Sequence, residues 1–521
     1  MATLPFTILD SLAALLLLIT LKLYVDKQRG RRGLSYPPGP RGLPIIGNVL
    51  DMPTAKQWVT YAHWAKRYGN VISVTALGQV IVIVNSAKAA KDLFERRGTV
   101  YMNRPKIPMF ELMGWDVSIA LMQYSEGWRV GRRLIDHSLR PQAAALYKPL
   151  QIEKTNALLK RLLQTPEDLK EHVKHFTAAI VMSLTYGYNV KESNDIFVSL
   201  ADQVNGLAAE SILPGASLVN EFPFLRHFPE WLPGMGFKHR ARYIYGLVQE
   251  MINAPFEYTK ESLNKGVDRP SIVRECINFH QGSEATEQDE EAMKRVAVAV
   301  YAAGADTTVA SILSFFLLLL LYPEIKARAQ AELDAVIGRE RLPNFDDRPK
   351  LPYIGAICKE LGRWKLVAPL GLPHAAAEDG VYDGYFIPKG AMLFANSWAI
   401  LHDSEIYPEP ESFKPERFLT SDGQLKEDPL LNCQFGFGRR ICPGRHLVDS
   451  NLWIVLASVL AVFDVMKSKD GDGHEIPVED AYTDHLISHP KDFKCTILPR
   501  SDKAKELILA ANSDYLAQDE A

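Results

Sequence analysis

Residues 435–445 read Phe-Gly-Phe-Gly-Arg-Arg-Ile-Cys-Pro-Gly-Arg, and this stretch sets one cysteine inside a glycine-punctuated, cationic turn. Gly436, Gly438 and Gly444 carry no Cβ, so the backbone there is free to take positive φ and to let a flat ligand approach closely. Arg439, Arg440 and Arg445 gather positive charge around Cys442, which favours the thiolate, the form that ligates metal. The apolar run after Pro443 predicts a helix whose N-terminal end adds to the same field. Cys442 is therefore read as an anionic metal ligand facing a planar partner. An ordinary buried cysteine in a glycine-rich loop is the plainer reading of a lone cysteine.

Working outward, composition narrows the function. The chain has 521 residues, 47% apolar, with 59 basic and 62 acidic side chains and a net charge of -3. That balance offers nothing to a polyanion, so no nucleic-acid partner is expected. Cys276, Cys358, Cys433, Cys442 and Cys495 are odd in number, scattered, and never form a C-x-x-C pair. Zinc, iron–sulfur clusters and a disulfide framework are thereby disfavoured, and a reducing compartment fits.

Leu4 to Tyr24 is long and apolar enough for one membrane helix, followed by Lys27, Arg29, Arg31 and Arg32. The charge bias puts the remainder of the chain on the cytosolic side. A cleaved signal peptide is the competing reading, but the basic cluster follows the apolar run instead of preceding it. Tyr36 to Asn48, with Pro37, Pro38, Pro40 and Pro44, cannot be helix and reads as a stiff spacer. Val71 to Val84 reads as a strand pair about Gly78-Gln79, and helical periodicity dominates beyond it. Between Phe222 and Lys238 lie too many breakers for a long helix. Phe228, Trp231, Leu232 and Phe237 are there either packed on the core or dipping into a bilayer.

The longest apolar run, Val296 to Leu321, follows an acidic stretch at 284–291 and carries one charge, Asp306. Acidic residues at its start, Pro323 at its end and Gly304, Thr307, Thr308, Ser311 and Ser314 inside predict a buried central helix, not a second membrane span. Thr307 is expected to bond back to a carbonyl one turn earlier and loosen the helix, with Gly304 permitting close approach. Trp128 and Arg132, four apart, share a helix face, and Glu360 and Arg363, three apart, share another.

Phe435, Gly438, Arg440, Cys442 and Gly444 fill every fixed position of a loop that resembles the haem-binding loop of the cytochromes P450. Four further segments resemble that family's motifs in the right order. The resemblance spans Arg41 to Arg500. It implies that Cys442 is the axial thiolate of haem b, and that Trp128, Arg132 and His374 meet its propionates, although His374 could equally be a plain loop residue. It implies that Asp306 relays protons while Thr307 holds oxygen and a water. It implies that Glu360, Arg363 and Arg417 form a buried structural network. Leu366 and Val448 depart from common family residues without touching this chemistry.

The expected fold is the P450 prism, mainly α with small β-sheets, behind one N-terminal transmembrane helix. Residues 1–25 would be the anchor, 26–48 the basic and proline-rich linker, 49–500 the catalytic domain and 501–521 a polar tail. The resemblance implies a monooxygenase of the endoplasmic reticulum membrane, its catalytic domain cytosolic. Electrons would come from NADPH through NADPH-cytochrome P450 reductase docking around Arg439, Arg440 and Arg445. Residues 104–124, 206–238, 298–302, 367–372 and 485–489 would line the site for an apolar small-molecule substrate. The texture is similar to fungal secondary-metabolism members. A terpenoid-like substrate is expected, with an aromatic polyketide or an indole amine as alternatives and Glu111 or Asp116 as conceivable amine anchors. A haem-thiolate isomerase or dehydratase is disfavoured by the intact Asp306-Thr307 pair, and a non-catalytic haem or sterol binder is the third reading.

Overall fold

A computed structural model of the chain describes residues 33–211, 217–279 and 286–519. The expected membrane helix at 4–24 and the basic cluster after it lie outside them. The described chain is mainly helical with three small sheets.

The organising element is the central helix Glu287–Leu321. Thr286 starts it with a capping box, accepting from Asp289 N–H while the Asp289 carboxylate accepts from Thr286 N–H. It is long and apolar enough to cross a membrane, yet most of its apolar stretch is packed inside the protein, as the polar residues along it predict. Its two halves sit in two different cores. Val309 to Leu320 packs with the helices Lys148–Gln164, Leu169–Tyr186, Pro352–Trp364 and Arg445–Val462. Met293 to Tyr301 packs instead with Met109, Trp128, Ile135 and the helices Ile196–Ser211 and Gly236–Asn264. Between them Ala303 is exposed and Gly304 to Thr307 are half-buried. This long apolar helix is thus opened at the seam of its two cores, where the sequence places its polar residues.

The strands are β1 (Val71–Ala76), β2 (Gln79–Val84), β3 (His374–Ala375), β4 (Gly380–Tyr382), β5 (Tyr385–Ile387), β6 (Met392–Ala395), β7 (Phe463–Lys467) and β8 (Cys495–Pro499). The largest sheet runs β1-β2-β6-β3, antiparallel except where β2 meets β6. The β1–β2 turn is Leu77-Gly78, both at positive φ as a tight hairpin demands.

Two segments behave differently from expectation. Tyr36 to Asn48 is non-helical as predicted, but it is not a free spacer. Ser73 donates from N–H to the Pro38 carbonyl (3.0 Å) and from Oγ to the Pro37 carbonyl (2.6 Å), and Thr75 N–H donates to Asn48 Oδ1 (3.0 Å). Prolines cannot donate, yet their carbonyls accept from the free edge of β1. The region expected as a polar tail begins instead with a helix, Asp502–Asp519. Ala504 and Ile508, four apart on one face, are buried in the core with Leu158, Leu159 and Leu162.

Candidate active site

Short 3₁₀ turns at Pro429–Phe435 and Gly438–Arg440 shape the cysteine loop, and Cys442 N–H donates to the Phe435 carbonyl at 2.9 Å. Gly438 has φ +58°, and a Cβ there would lie 2.3 Å from the Phe94 carbonyl oxygen. Its glycine therefore serves close packing of chain on chain, not the approach of a ligand. Gly444, at φ -77°, caps the helix Arg445–Val462 in a conformation open to any residue.

The expected ring of arginines around the sulfur is also redrawn. Arg439 donates to the Tyr124 hydroxyl (3.1 Å), and Arg440 turns away to the carbonyls of Met102 and Met122 (2.8 Å for Met122). Burial raises the Cys442 thiol above its ordinary pKa, and the Gly444 N–H, Arg132 and Arg445 only partly oppose that. A metal at this sulfur would ionise the thiol outright.

Arg440 and Arg104 are buried, and neither has a carboxylate within ion-pair distance among the described residues. Arg104 donates to the carbonyls of Ala120 (2.8 Å), Leu372 (2.9 Å) and Pro373 (2.7 Å). The Arg440 guanidinium stacks over the Trp128 ring at 4.7 Å. Burial, with Arg440 beside it, lowers the pKa of Arg104 to about 9, and burial together with Arg132 lowers Arg440 to about 10. Both stay charged near neutrality. His374 lies beside them, its Nδ1 on the Tyr101 carbonyl at 2.9 Å, and burial plus Arg104 drive its pKa well below the ordinary value. Its imidazole is thus held neutral, whereas Arg104 beside it stays charged. Nothing local marked Arg104, which the sequence placed on the substrate wall. A buried pair of uncompensated cations is costly unless an anion is taken up between them. A group bearing carboxylates of its own fits that demand.

At the seam of the central helix, Thr307 Oγ donates back to the Ala303 carbonyl at 2.9 Å, as the sequence predicts. Thr177 Oγ donates to the Ala305 carbonyl (3.2 Å) from the neighbouring helix. A Cβ on Gly304 would strike Val181 Cγ2 at 2.6 Å, so this glycine admits the helix Leu169–Tyr186 and not a ligand. Asp306 Oδ1 lies 3.1 Å from His489 Nε2, a partner the sequence did not suggest.

Trp128 and Arg132 lie on the helix Glu126–Leu139, capped by Ser125. Trp128 is buried against Arg440, whereas Arg132 pairs with Asp136 (2.9 Å). Arg132 lines an open hollow of about 650 Å³ between this helix and the cysteine loop. Arg129, Arg133, Arg140, Arg439 and Arg445 line it too, against Glu126 and Asp136. Elsewhere, fully buried Glu360 takes Arg363 through both oxygens (2.6 and 2.9 Å) and Arg417 at 3.3 Å.

A lone cysteine in a tight loop, together with a buried pair of cations that have no carboxylate of their own among the described residues, fits the haem-thiolate class. The chain belongs to the cytochrome P450 family, whose model matches residues 37–497. Its relatives are fungal monooxygenases. Cytochrome P450 monooxygenase 208 of Postia placenta is 42% identical, with 97% of this chain and 98% of the relative covered. Cytochrome P450 monooxygenase COX1 of Coprinopsis cinerea is 40% identical, covering 92% and 94%. The tryptamine 4-monooxygenase of Psilocybe cyanescens is 37% identical, covering 92% and 96%. The protein is accordingly a P450 monooxygenase, and its family implies a haem-thiolate iron centre.

Proposed function

We propose that this monooxygenase hydroxylates a neutral, apolar, terpenoid-like metabolite. It would use haem b held by Cys442 and by the cations Arg104 and Arg440, with Trp128 stacked behind Arg440. Haem-thiolate iron, when bound, supplies the activation of dioxygen with two electrons and two protons. Thr307 Oγ, at rest on the Ala303 carbonyl, is the group able to swing and hold a water at the seam. Asp306 is the acid that passes protons to it. The observation that carries this reading is the opening of an otherwise buried helix at Ala303–Thr307, where the acid and the alcohol sit side by side.

The arginine-rich hollow supports electron delivery there by an acidic reductase of the NADPH-cytochrome P450 type, with Arg440 removed from the expected docking set because it is buried. Phe222, Phe224, Phe228 and Trp231 are exposed, while Leu232 and Phe237 are half-buried. That aromatic patch supports contact with the endoplasmic reticulum membrane beside a single N-terminal anchor.

Glu111 is engaged by Arg226 at 3.0 Å and is no longer a free amine anchor, which favours a neutral substrate. The tryptamine-oxidising relative favours a second reading, an indole amine met by Asp116. Optical titration of the ferric protein with a sesquiterpene, a triterpene, a polycyclic aromatic and an indole amine separates the two by which class shifts the Soret band. In the same preparation Thr307→Ala is expected to divert at least half of the NADPH consumed into peroxide. Unchanged coupling of NADPH to product would overturn the role given to Thr307.

A further inference from the structure

We infer that His489 is a positioning residue for Asp306 and the group through which that acid is re-protonated. The inference rests on the monooxygenase reading of the site. His489 Nε2 is 3.1 Å from Asp306 Oδ1, within ion-pair distance, so a proton carried on Nε2 faces the carboxylate. The ring belongs to a tight loop and not to a free surface chain. His489 N–H donates to Thr483 Oγ (3.0 Å), Thr483 N–H to the His489 carbonyl (2.8 Å), and Ser488 Oγ to the Thr483 carbonyl (3.0 Å). Ser488 N–H ties this loop to the Val367 carbonyl at 2.8 Å, on a segment expected to line the substrate.

The helix carbonyls next to Asp306 are held as well. Thr177 binds that of Ala305, and Asn205 Nδ2 reaches that of Ala302 at 3.4 Å. Asp306 is therefore fixed from both ends, its backbone by the neighbouring helices and its carboxylate by His489. The imidazole side chain keeps about a quarter of its surface exposed. A proton can enter at Nδ1 and leave from Nε2 to Asp306 Oδ1; the neutral ring then resets by exchanging its proton with water, and no other bond is made or broken. Because the loop is anchored to Val367, a substrate that moves this wall also sets the His489–Asp306 distance.

The test uses the full-length protein with His489→Gln, which keeps a hydrogen-bond donor but cannot relay a proton, and His489→Ala. Both should retain the thiolate-type carbon monoxide spectrum. In His489→Gln, product formation is expected to fall ~100-fold, at the modest end of acid–base effects, with a raised solvent deuterium isotope effect. Independently of turnover, ¹⁵N-histidine spectra of the ferrous carbon monoxide form are recorded. The His489 Nε2 resonance, assigned by its loss in His489→Gln, should move in Asp306→Asn. Wild-type rate and isotope effect in His489→Gln, or no movement of that resonance, overturns the inference. Weakened substrate binding with an unchanged isotope effect overturns it too, by reducing His489 to a loop tether. Absence of product from the wild type would instead defeat the monooxygenase reading, and the resonance would still decide whether the two side chains are coupled.

Discussion

Two places in this molecule bury arginine, and they do it in opposite ways. Arg363 lies fully inside the protein with Glu360 on its guanidinium and Arg417 closing the set, while carbonyls of Leu401, Pro410 and Ser412 take its remaining donors. Arg104 and Arg440 are buried on carbonyls, with the Trp128 ring against Arg440, and without a carboxylate among the described residues. The first site carries an anion of its own and has no use for a ligand. The second is complete only when something else brings the negative charge. Burial of a cation is thus no sign of function by itself. What separates a structural network from a binding site is whether the chain also supplies the anion.

The strongest way to break this contrast is Glu360→Gln. Leaving Arg363 buried without its counter-charge should cost ~3–5 kcal/mol whether or not haem is loaded, read as lost soluble protein or a lowered melting temperature. A mild effect would mean that the two sites do not differ in kind.

Arg440→Leu should act with the opposite balance. Removing one of two unpaired cations should leave the haem-free fold as stable or more so, while haem leaves about ten times more readily, in line with ~1.5–3 kcal/mol for a hydrogen bond to a charged group. Haem transfer to an excess apoglobin acceptor, set beside a melt of the stripped protein, measures both. Equal damage to both forms would show that Arg440 is structural like Arg363.

The smallest effect concerns the histidine next to each site. Burial, then Arg104, keeps His374 neutral, and burial, then Arg363, pushes His402 down to about 3. Both folded values lie below the ~6.5 of an unfolded histidine, so the unfolded chain takes up protons first as the solution is acidified. Stability is therefore full above about pH 6.5 and falls below it, by ~1.4 kcal/mol per pH unit for each such histidine. His402→Gln should flatten the acid limb of a stability–pH curve measured by urea midpoints. An unchanged slope would mean that His402 is protonated in the folded protein.

What was legible beforehand follows the range of the interactions. The cysteine loop, the Asp306-Thr307 step, the Glu360–Arg363 pair and the Trp128–Arg132 face are spaced within one or two turns, so each is visible as a local pattern, and the family resemblance supplied the roles. The partners from afar were not legible. Arg104 meets carbonyls some 268 residues away, and His489 meets Asp306 across 183, with no local pattern to announce either. The surroundings of Cys442 were legible only in part, for a related reason. Counting arginines in sequence ignores where each one points and how dry the sulfur is. The C-terminal helix is a different lapse, since Ala504 and Ile508 at helical spacing were in plain sight among charged neighbours.

That last helix bears on how the protein is made. Ile508 completes a core whose other members include Leu158, Leu159 and Leu162, all synthesised some 350 residues earlier. Chains fold from the N-terminal side as they leave the ribosome. Here the early helices emerge with an apolar face that nothing upstream can cover. Part of that face is covered only once the last helix has left the ribosome, and a message truncated shortly before codon 508 would encode every proposed site residue yet lack the side chain that closes this part of the core.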